Sequence, residues 1–181
     1  LLRTDLSKLV RMIAQIKGID DISLTSNGIL LSKYAVELKE AGLKRVNISL
    51  DTLKEDRFKS ISGGGKLGVV LSGIEAAHLA GLEPVKINMV VLRGINDDEI
   101  AEFVQLTEKK PVHVRFIELM PMGETGFFSQ ERWVSMREIL DKAQPLEALD
   151  KAYWPSGYGP ARYFKRPGAQ GTVGVISALS C

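Results

Sequence analysis

The sequence predicts an α/β fold in the form of an incomplete (β/α) barrel, with four parallel strands and helices on the outside. Three observations support this prediction. Four strand-like runs alternate polar with apolar residues, and a helix-like segment precedes each run. In addition, no Gly-x-Gly-x-x-Gly turn follows any strand, which disfavours an open doubly wound sheet of the dinucleotide-binding kind.

The four strand-like runs, over 22–28, 46–51, 85–91 and 112–118, each carry their polar residues on one face because side chains alternate along a strand. The polar faces contain Ser23, Thr25 and Asn27, then Asn47, Ser49 and Asp51, then Lys86 and Asn88, and finally His113 and Arg115. Helices packed on the apolar face would leave this polar face pointing inward. A polar interior indicates a polar ligand.

The predicted helices run from an N-cap at Thr4 or Asp5 to Gly18, and then over 31–41, 67–80, 97–109 and 135–143. Gly42 and Gly81 follow the second and third helices, where a left-handed residue ends a helix at low cost. Four strands cannot close a barrel, and the chain starts without Met. We therefore interpret it as an excerpt of a longer protein.

The composition excludes several classes of protein. The 181 residues contain 24 Lys and Arg against 22 Asp and Glu, so bulk charge points to no nucleic-acid partner. No apolar run is long enough for a membrane span and no signal pattern is present, so we expect a cytoplasmic protein. One cysteine and two histidines build neither a disulfide framework nor a metal site by themselves.

The strand-end residues have structural as well as functional interpretations. Thr25 lies in a segment that could be a plain Asn-Gly turn or a ligand contact. Asp51 is better explained as a cross-strand partner or a helix cap near Leu53. A functional role is favoured for Lys86, because an ammonium that points inward needs a partner or a bound anion. For Arg115, a ligand contact and a structural ion pair with Glu118 are equally compatible with the sequence.

Six motifs carry a resemblance to a known family. They are Leu1-Leu-Arg-Thr-Asp-Leu6, Leu24-Thr-Ser-Asn-Gly28, Asn47-Ile-Ser-Leu-Asp51, Lys86-Ile-Asn88, Gly94-Ile-Asn-Asp97 and Arg115-Phe-Ile-Glu-Leu-Met120. In this order and spacing the chain resembles molybdenum cofactor biosynthesis protein A, the radical S-adenosylmethionine family of GTP 3′,8-cyclases. The resemblance implies an incomplete (β/α)6 TIM-like barrel of the radical S-adenosylmethionine type.

The resemblance also implies site residues. Thr25, Lys86 and Arg115 would contact GTP, and Ser49 and Met120 would contact S-adenosylmethionine. By composition alone Met120 is a plug at the barrel mouth. No catalytic residue is assigned, because the family generates its 5′-deoxyadenosyl radical at a cluster.

The family uses two [4Fe–4S] clusters and converts GTP to 3′,8-cyclo-7,8-dihydro-GTP. The cluster ligands would lie outside this chain, and Cys181 precedes the position expected for the first ligand of the second cluster. We therefore predict that Cys181 is not a ligand and that the chain alone is inactive.

The remaining expectations concern organisation and alternatives. We expect a partial barrel over 1–145 and the start of a C-terminal cluster-binding region over 146–181. The family implies a homodimer and a link to the next enzyme of the molybdopterin pathway. On the residues alone, two alternatives stay open: a barrel aldolase with a Schiff base on Lys86 and Asp51 or Glu118 handling protons, or a non-catalytic nucleotide-binding fragment.

Overall fold

The computed structural model describes residues 3–120, 131–157 and 159–177. Helices and strands alternate along most of the chain, as predicted, and the α/β class is confirmed. The elements are α1 (Leu6–Ala14), β1 (Ser23–Ser26), α2 (Leu31–Glu40), β2 (Arg45–Ser49), α3 (Glu55–Ile61), α4 (Leu67–Leu79), β3 (Val85–Val91), α5 (Ile100–Lys109), β4 (Val112–Glu118), α6 (Met136–Ala143), β5 (Glu147–Ala148), β6 (Arg162–Lys165) and β7 (Thr172–Ile176). In the described ranges, no helix is both long enough and apolar enough to cross a membrane.

The chain folds as two compact units. The first contains Leu1–Ser49 and Lys54–Lys86, and the second contains Leu50–Leu53 and Ile87–Cys181. Strand β3 therefore begins in the first unit and continues in the second.

In the first unit, β1 and β2 pair in parallel, with Ser23 opposite Arg45 and Thr25 opposite Asn47. Helix α2 packs on α4. The core of this unit is apolar and closed to solvent, and includes Leu31, Ala35, Leu38, Val46, Ile48, Val70 and Ala77. The apolar alternation of β2 thus faces the core, as the period of two predicts.

Helix α4 approaches the turn after β1 very closely. A Cβ atom built on Gly73 would lie 2.2 Å from the carbonyl oxygen of Gly28. Gly28 has a φ of 81°, in the left-handed region that favours glycine. The backbone therefore bends sharply at Asn27-Gly28, as the structural interpretation of this segment expects, and the absence of a side chain at Gly73 leaves space for the bend.

In the second unit, β4 and β7 pair in parallel, with Arg115 opposite Gly174. Strand β6 pairs with β7, and β5 with β6, both antiparallel. The rings of Phe103 on α5 and Phe116 on β4 meet edge to face, with centroids 6.4 Å apart. Strand β7 is a further parallel strand. It lies in the region assigned to 146–181 but pairs with β4, in the region assigned to 1–145, and the proposed boundary between these regions stays a prediction.

The N-cap of α1 falls at Asp5, as predicted, but neither Asp5 nor Asp51 makes a side-chain cap hydrogen bond. The side chain of Asp5 binds Arg3 instead. Asp51 does not cap α3, which begins after Lys54 without a side-chain cap. The Asp51 carboxylate accepts a bond from the N–H of Val90 at 2.9 Å, which is the cross-strand role left open by the sequence. By contrast, the glycines at 42 and 81 take φ values of 110° and 72°, as expected at helix ends.

Candidate functional site

The polar face of the first unit presents hydroxyl groups to solvent near the carboxyl ends of its strands. Thr25 on β1 and Ser49, the last residue of β2, are both exposed. The side-chain amide of Asn47 donates to the hydroxyl of Thr25 at 3.3 Å, which orients that side chain. In a parallel α/β fold, ligands bind at the carboxyl ends of the strands, and Thr25 and Ser49 lie at those ends.

Lys86 is the second residue of β3 and is only 2% exposed. A buried ammonium needs compensating negative charge. Asp21 contributes negative charge: its carboxyl pKa is lowered first by hydrogen bonds from Arg45, and also by the positive charges of Lys86 and Lys44. The structure therefore keeps a cation inside the polar face of the first unit.

The pair formed by Asp21 and Arg45 was missed in the sequence analysis. Nε and Nη2 of Arg45 donate hydrogen bonds to the carboxylate of Asp21 at 3.0 and 2.7 Å, and Arg45 is only 9% exposed. The period of two does contain the signal: extended backwards by one step, the polar ladder of β2 reaches Arg45, and that of β1 reaches Asp21.

In the second unit, Arg115 on β4 lies half-buried and donates from Nε to the side-chain oxygen of Asn88 at 2.7 Å. Gly174 on β7 lies opposite, and a Cβ atom there would lie 3.1 Å from Cγ of Arg115. The absence of a side chain at Gly174 leaves room for the arginine stem. Asn88 is thus a polar partner that orients the guanidinium, a role not assigned from the sequence.

Met120 lies two residues beyond the end of β4 and is 45% exposed, while its neighbour Leu119 is 7% exposed. The chain is anchored at Leu119 and presents the thioether of Met120 to solvent. This exposure suits a contact with a flat ring. Cys181 falls outside the described residues, so its predicted exclusion as a ligand stays a prediction.

Glu118 ends β4 as a buried carboxylate, 1% exposed. One oxygen accepts from the backbone N–H of Met136, the first residue of α6, and the other accepts from the hydroxyl of Ser177 at 2.6 Å. A carboxylate at a helix N-terminus is electrostatically favourable. Glu118 therefore ties the ends of β4 and β7 to the start of α6.

Replacing Glu118 with Leu is expected to lower the free energy of unfolding by about 2 kcal/mol, because two partly buried donors lose their acceptors. Glu118→Gln should cost less, since its carbonyl oxygen still accepts from Met136 and its amide can donate to Ser177. Urea unfolding of both variants measures the difference. Equal losses would show that the hydrogen bonds of Glu118 do not set its contribution.

The carboxyl group of Asp51 is expected to make the stability of the protein depend on pH. Burial raises the pKa of its carboxyl above 3.8, opposed by the bond from Val90. Because the folded pKa exceeds the unfolded one, the folded state binds the proton more tightly in the window between them. The contribution of Asp51 to stability is complete below the unfolded pKa and is lost as pH rises through the folded pKa.

We therefore expect the stability of the wild type, relative to Asp51→Asn, to fall as pH rises from about 4 to 8. Asparagine keeps the acceptor for Val90 and does not titrate in this range. Urea unfolding of the two proteins across this range tests the sign, and a relative stability that rises with pH would contradict it.

The residues present do not fit an iron–sulfur cluster. A [4Fe–4S] cluster is held by several cysteine thiolates, and the chain has one cysteine. Among the residues that the structure describes, no group of three or more His, Cys, Asp or Glu side chains could hold a metal ion. The exposed hydroxyl of Ser49 and thioether of Met120 are, each in its own unit, accessible to a small-molecule cofactor.

Comparison with known proteins extends these observations. The chain is 49% identical over 181 residues to a GTP 3′,8-cyclase of Pelotomaculum thermopropionicum, covering 99% of this chain and 56% of that protein. It is 47% identical over 186 residues to one of Petrotoga mobilis and 48% identical over 183 residues to one of Moorella thermoacetica, in each case covering 99% of this chain and 55% of the relative. The chain thus spans about half the length of these curated relatives.

The family match covers the part of the chain that carries most of the polar ladders. Residues 1–107 match the radical SAM superfamily, named for S-adenosylmethionine. This range includes Thr25, Ser49 and Lys86, and the observed alternation of parallel strands and helices agrees with a partial barrel of that type. The chain belongs to the radical SAM superfamily.

Proposed function

We propose that this chain is part of a GTP 3′,8-cyclase that uses S-adenosylmethionine to convert GTP to 3′,8-cyclo-7,8-dihydro-GTP. The observation that carries the proposal is the match along 99% of the chain to proteins of that name, at 49% identity in one case. The polar faces of both units support it, because they offer hydroxyl groups and cations of the kind that bind nucleotides.

Thr25, Lys86 and Arg115 are proposed to contact GTP. A triphosphate carries several negative charges, and a buried lysine and a guanidinium are the cations best suited to bind it. The side chain of Lys86 is buried, and its positive charge helps to lower the carboxyl pKa of Asp21. Arg115 is oriented by Asn88 before any ligand arrives.

Ser49 and Met120 are proposed to contact S-adenosylmethionine. In this family the bound cofactor, together with an iron–sulfur cluster, supplies a carbon radical that removes a hydrogen atom from GTP. The residues of this chain bind and orient the two nucleotides, and we assign them no redox step. The ligands of both clusters are expected outside the chain.

The proposal is tested with the complete protein, its clusters reconstituted without oxygen, incubated with GTP, S-adenosylmethionine and a reductant. We expect 5′-deoxyadenosine and the cyclised nucleotide to form together, detected by mass spectrometry. Omission of GTP is the control. Formation of 5′-deoxyadenosine without any change in GTP would overturn the assigned reaction.

The Schiff-base aldolase has weaker support. Its proton-handling candidates are already engaged: Asp51 accepts from Val90, and both oxygens of Glu118 accept hydrogen bonds. Borohydride reduction with a carbonyl substrate would trap an adduct on Lys86 only if the aldolase is correct. Calorimetry of the 181-residue chain with GTP tests the second alternative, a non-catalytic nucleotide-binding fragment, which would bind GTP without converting it.

We also propose a cytoplasmic homodimer that hands its product to the next enzyme of the molybdopterin pathway, without nucleic-acid or membrane partners. The resemblance supports these proposals, and a net charge of +2 agrees with the absence of a nucleic-acid partner. Light scattering of the complete protein tests the dimer.

A further inference from the structure

Three fully buried polar side chains lie together in the second unit. Thr52, Asn96 and Glu99 are each 0% exposed. Thr52 belongs to the irregular segment 51–53 that follows β2, and Asn96 and Glu99 belong to the loop between β3 and α5. Burying polar groups is costly unless they are hydrogen-bonded, so the bonds within this group explain why it is there.

Glu99 holds the segment 51–53 through two short hydrogen bonds. One carboxylate oxygen accepts from the hydroxyl of Thr52 at 2.6 Å, and the other accepts from the backbone N–H of Leu53, also at 2.6 Å. Hydrogen bonds to a carboxylate are stronger than those between neutral groups.

Asn96 uses both ends of its side-chain amide. Its nitrogen donates to the carbonyl oxygens of Asp51 at 2.8 Å and Val90 at 2.9 Å, and its oxygen accepts from the N–H of Leu92 at 2.7 Å. We call Asp51, Thr52, Leu53, Asn96 and Glu99 the loop clamp.

The loop clamp does more than close a turn. The local turn is closed by backbone hydrogen bonds to the carbonyl oxygen of Leu92, by the bond from Leu92 to Asn96, and by the bond from Gly94 to Asp97 at 2.7 Å. The bonds of Glu99 are long-range, as is one bond of Asn96: those joining Glu99 to Thr52 and Leu53, and Asn96 to Asp51, link positions 45 to 47 residues apart in the chain. They fix the backbone of 51–53, the residues that follow Ser49 almost directly.

We propose that Asn96 and Glu99 are positioning residues for S-adenosylmethionine binding, which act by holding the backbone of 51–53 next to Ser49. This inference rests on the proposed function. A loop at the carboxyl end of a parallel strand is where such folds contact ligands, and a displaced supporting residue weakens binding without touching the ligand.

The test uses the complete, cluster-loaded protein and four substitutions. Glu99→Leu removes both acceptors, and Thr52→Val removes only the hydroxyl. Glu99→Gln is the conservative variant, because its carbonyl oxygen can accept from Leu53 while the Thr52 hydroxyl turns to accept from its amide. Thr107→Val is the matched control: Thr107 is also 0% exposed, lies on α5, and its hydroxyl donates within that helix, to the carbonyl oxygen of Val104.

Two quantities are measured on folded protein: the Kd for S-adenosylmethionine, by equilibrium dialysis, and the hydrogen exchange of the Leu53 amide. We expect Glu99→Leu to raise the Kd about tenfold and Thr52→Val about threefold, with Glu99→Gln and Thr107→Val staying within about twofold. The Leu53 amide should exchange faster in Glu99→Leu and not in Thr107→Val.

An unchanged Kd in folded Glu99→Leu, or an equal rise in Thr107→Val, would overturn the inference. If Glu99→Leu does not fold, Thr52→Val decides, and a Kd equal to that of the wild type overturns it. If the wild type binds S-adenosylmethionine and these variants bind it equally well, this inference is wrong but the proposed function is unaffected. A wild type that does not bind it removes the proposed function as well.

Discussion

Lys86→Met in the complete protein is expected to raise the Kd for GTP about a hundredfold, which corresponds to about 2.7 kcal/mol. The variant loses a charge-assisted contact with a phosphate. The free energy of unfolding should stay the same or increase, because methionine fills a similar space and a buried ammonium is costly to keep in the fold. Asp21 keeps its bonds to Arg45.

Two variants control this experiment, with GTP binding measured by calorimetry and stability by urea unfolding. Lys86→Arg keeps the charge and should recover part of the affinity. Lys44→Met removes an exposed lysine beside Arg45 and should change the Kd for GTP by less than about threefold. If Lys86→Met binds GTP normally but is strongly destabilised, Lys86 has a structural role only.

Gly73→Ala should destabilise the protein by about 3 kcal/mol or more. The new methyl group would lie 2.2 Å from the carbonyl oxygen of Gly28, a backbone atom that cannot move aside alone. Alanine favours a helix over glycine by only about 1 kcal/mol, so the clash dominates. Thr25 lies on β1, the strand that leads into this turn, so displacement of the turn should also shift Thr25 and lower the affinity for GTP.

The control for this prediction is Gly68→Ala in the same helix. A Cβ atom at Gly68 would meet nothing within 4 Å, so alanine there should leave stability unchanged or raise it by up to about 1 kcal/mol. Thermal unfolding of the two variants compares the positions directly. Similar behaviour of both variants would contradict the close approach between α4 and the turn.

The predictable part of this fold is local. Period-two alternation predicted strands β1 to β4. The glycines at 42 and 81 marked the ends of two helices, because few residue types other than glycine adopt the left-handed conformation found there. The pairing of β7 with β4 was not predicted, since it joins residues far apart in the chain and no local pattern encodes a partner strand.

The candidate site shows the same division. The ladder of alternating polar residues identified Lys86 as an inward cation, and its burial agrees with that interpretation. Extended by one step, the ladder also reaches Asp21 and Arg45, but it could not show that these two side chains pair, which depends on how β1 and β2 align. Asn96 and Glu99 resemble ordinary turn residues in the sequence, because a turn and a long-range clamp use the same residue types.

The loop clamp has a consequence for the kinetics of binding. Ordering a flexible loop on ligand binding costs conformational entropy and slows productive encounters. Thr52 and Leu53 are already ordered by Glu99 in the folded protein, so that entropy is lost once, during folding. A ligand that contacts this backbone therefore meets preorganised groups, and its association rate is governed by diffusion and charge rather than by waiting for the loop.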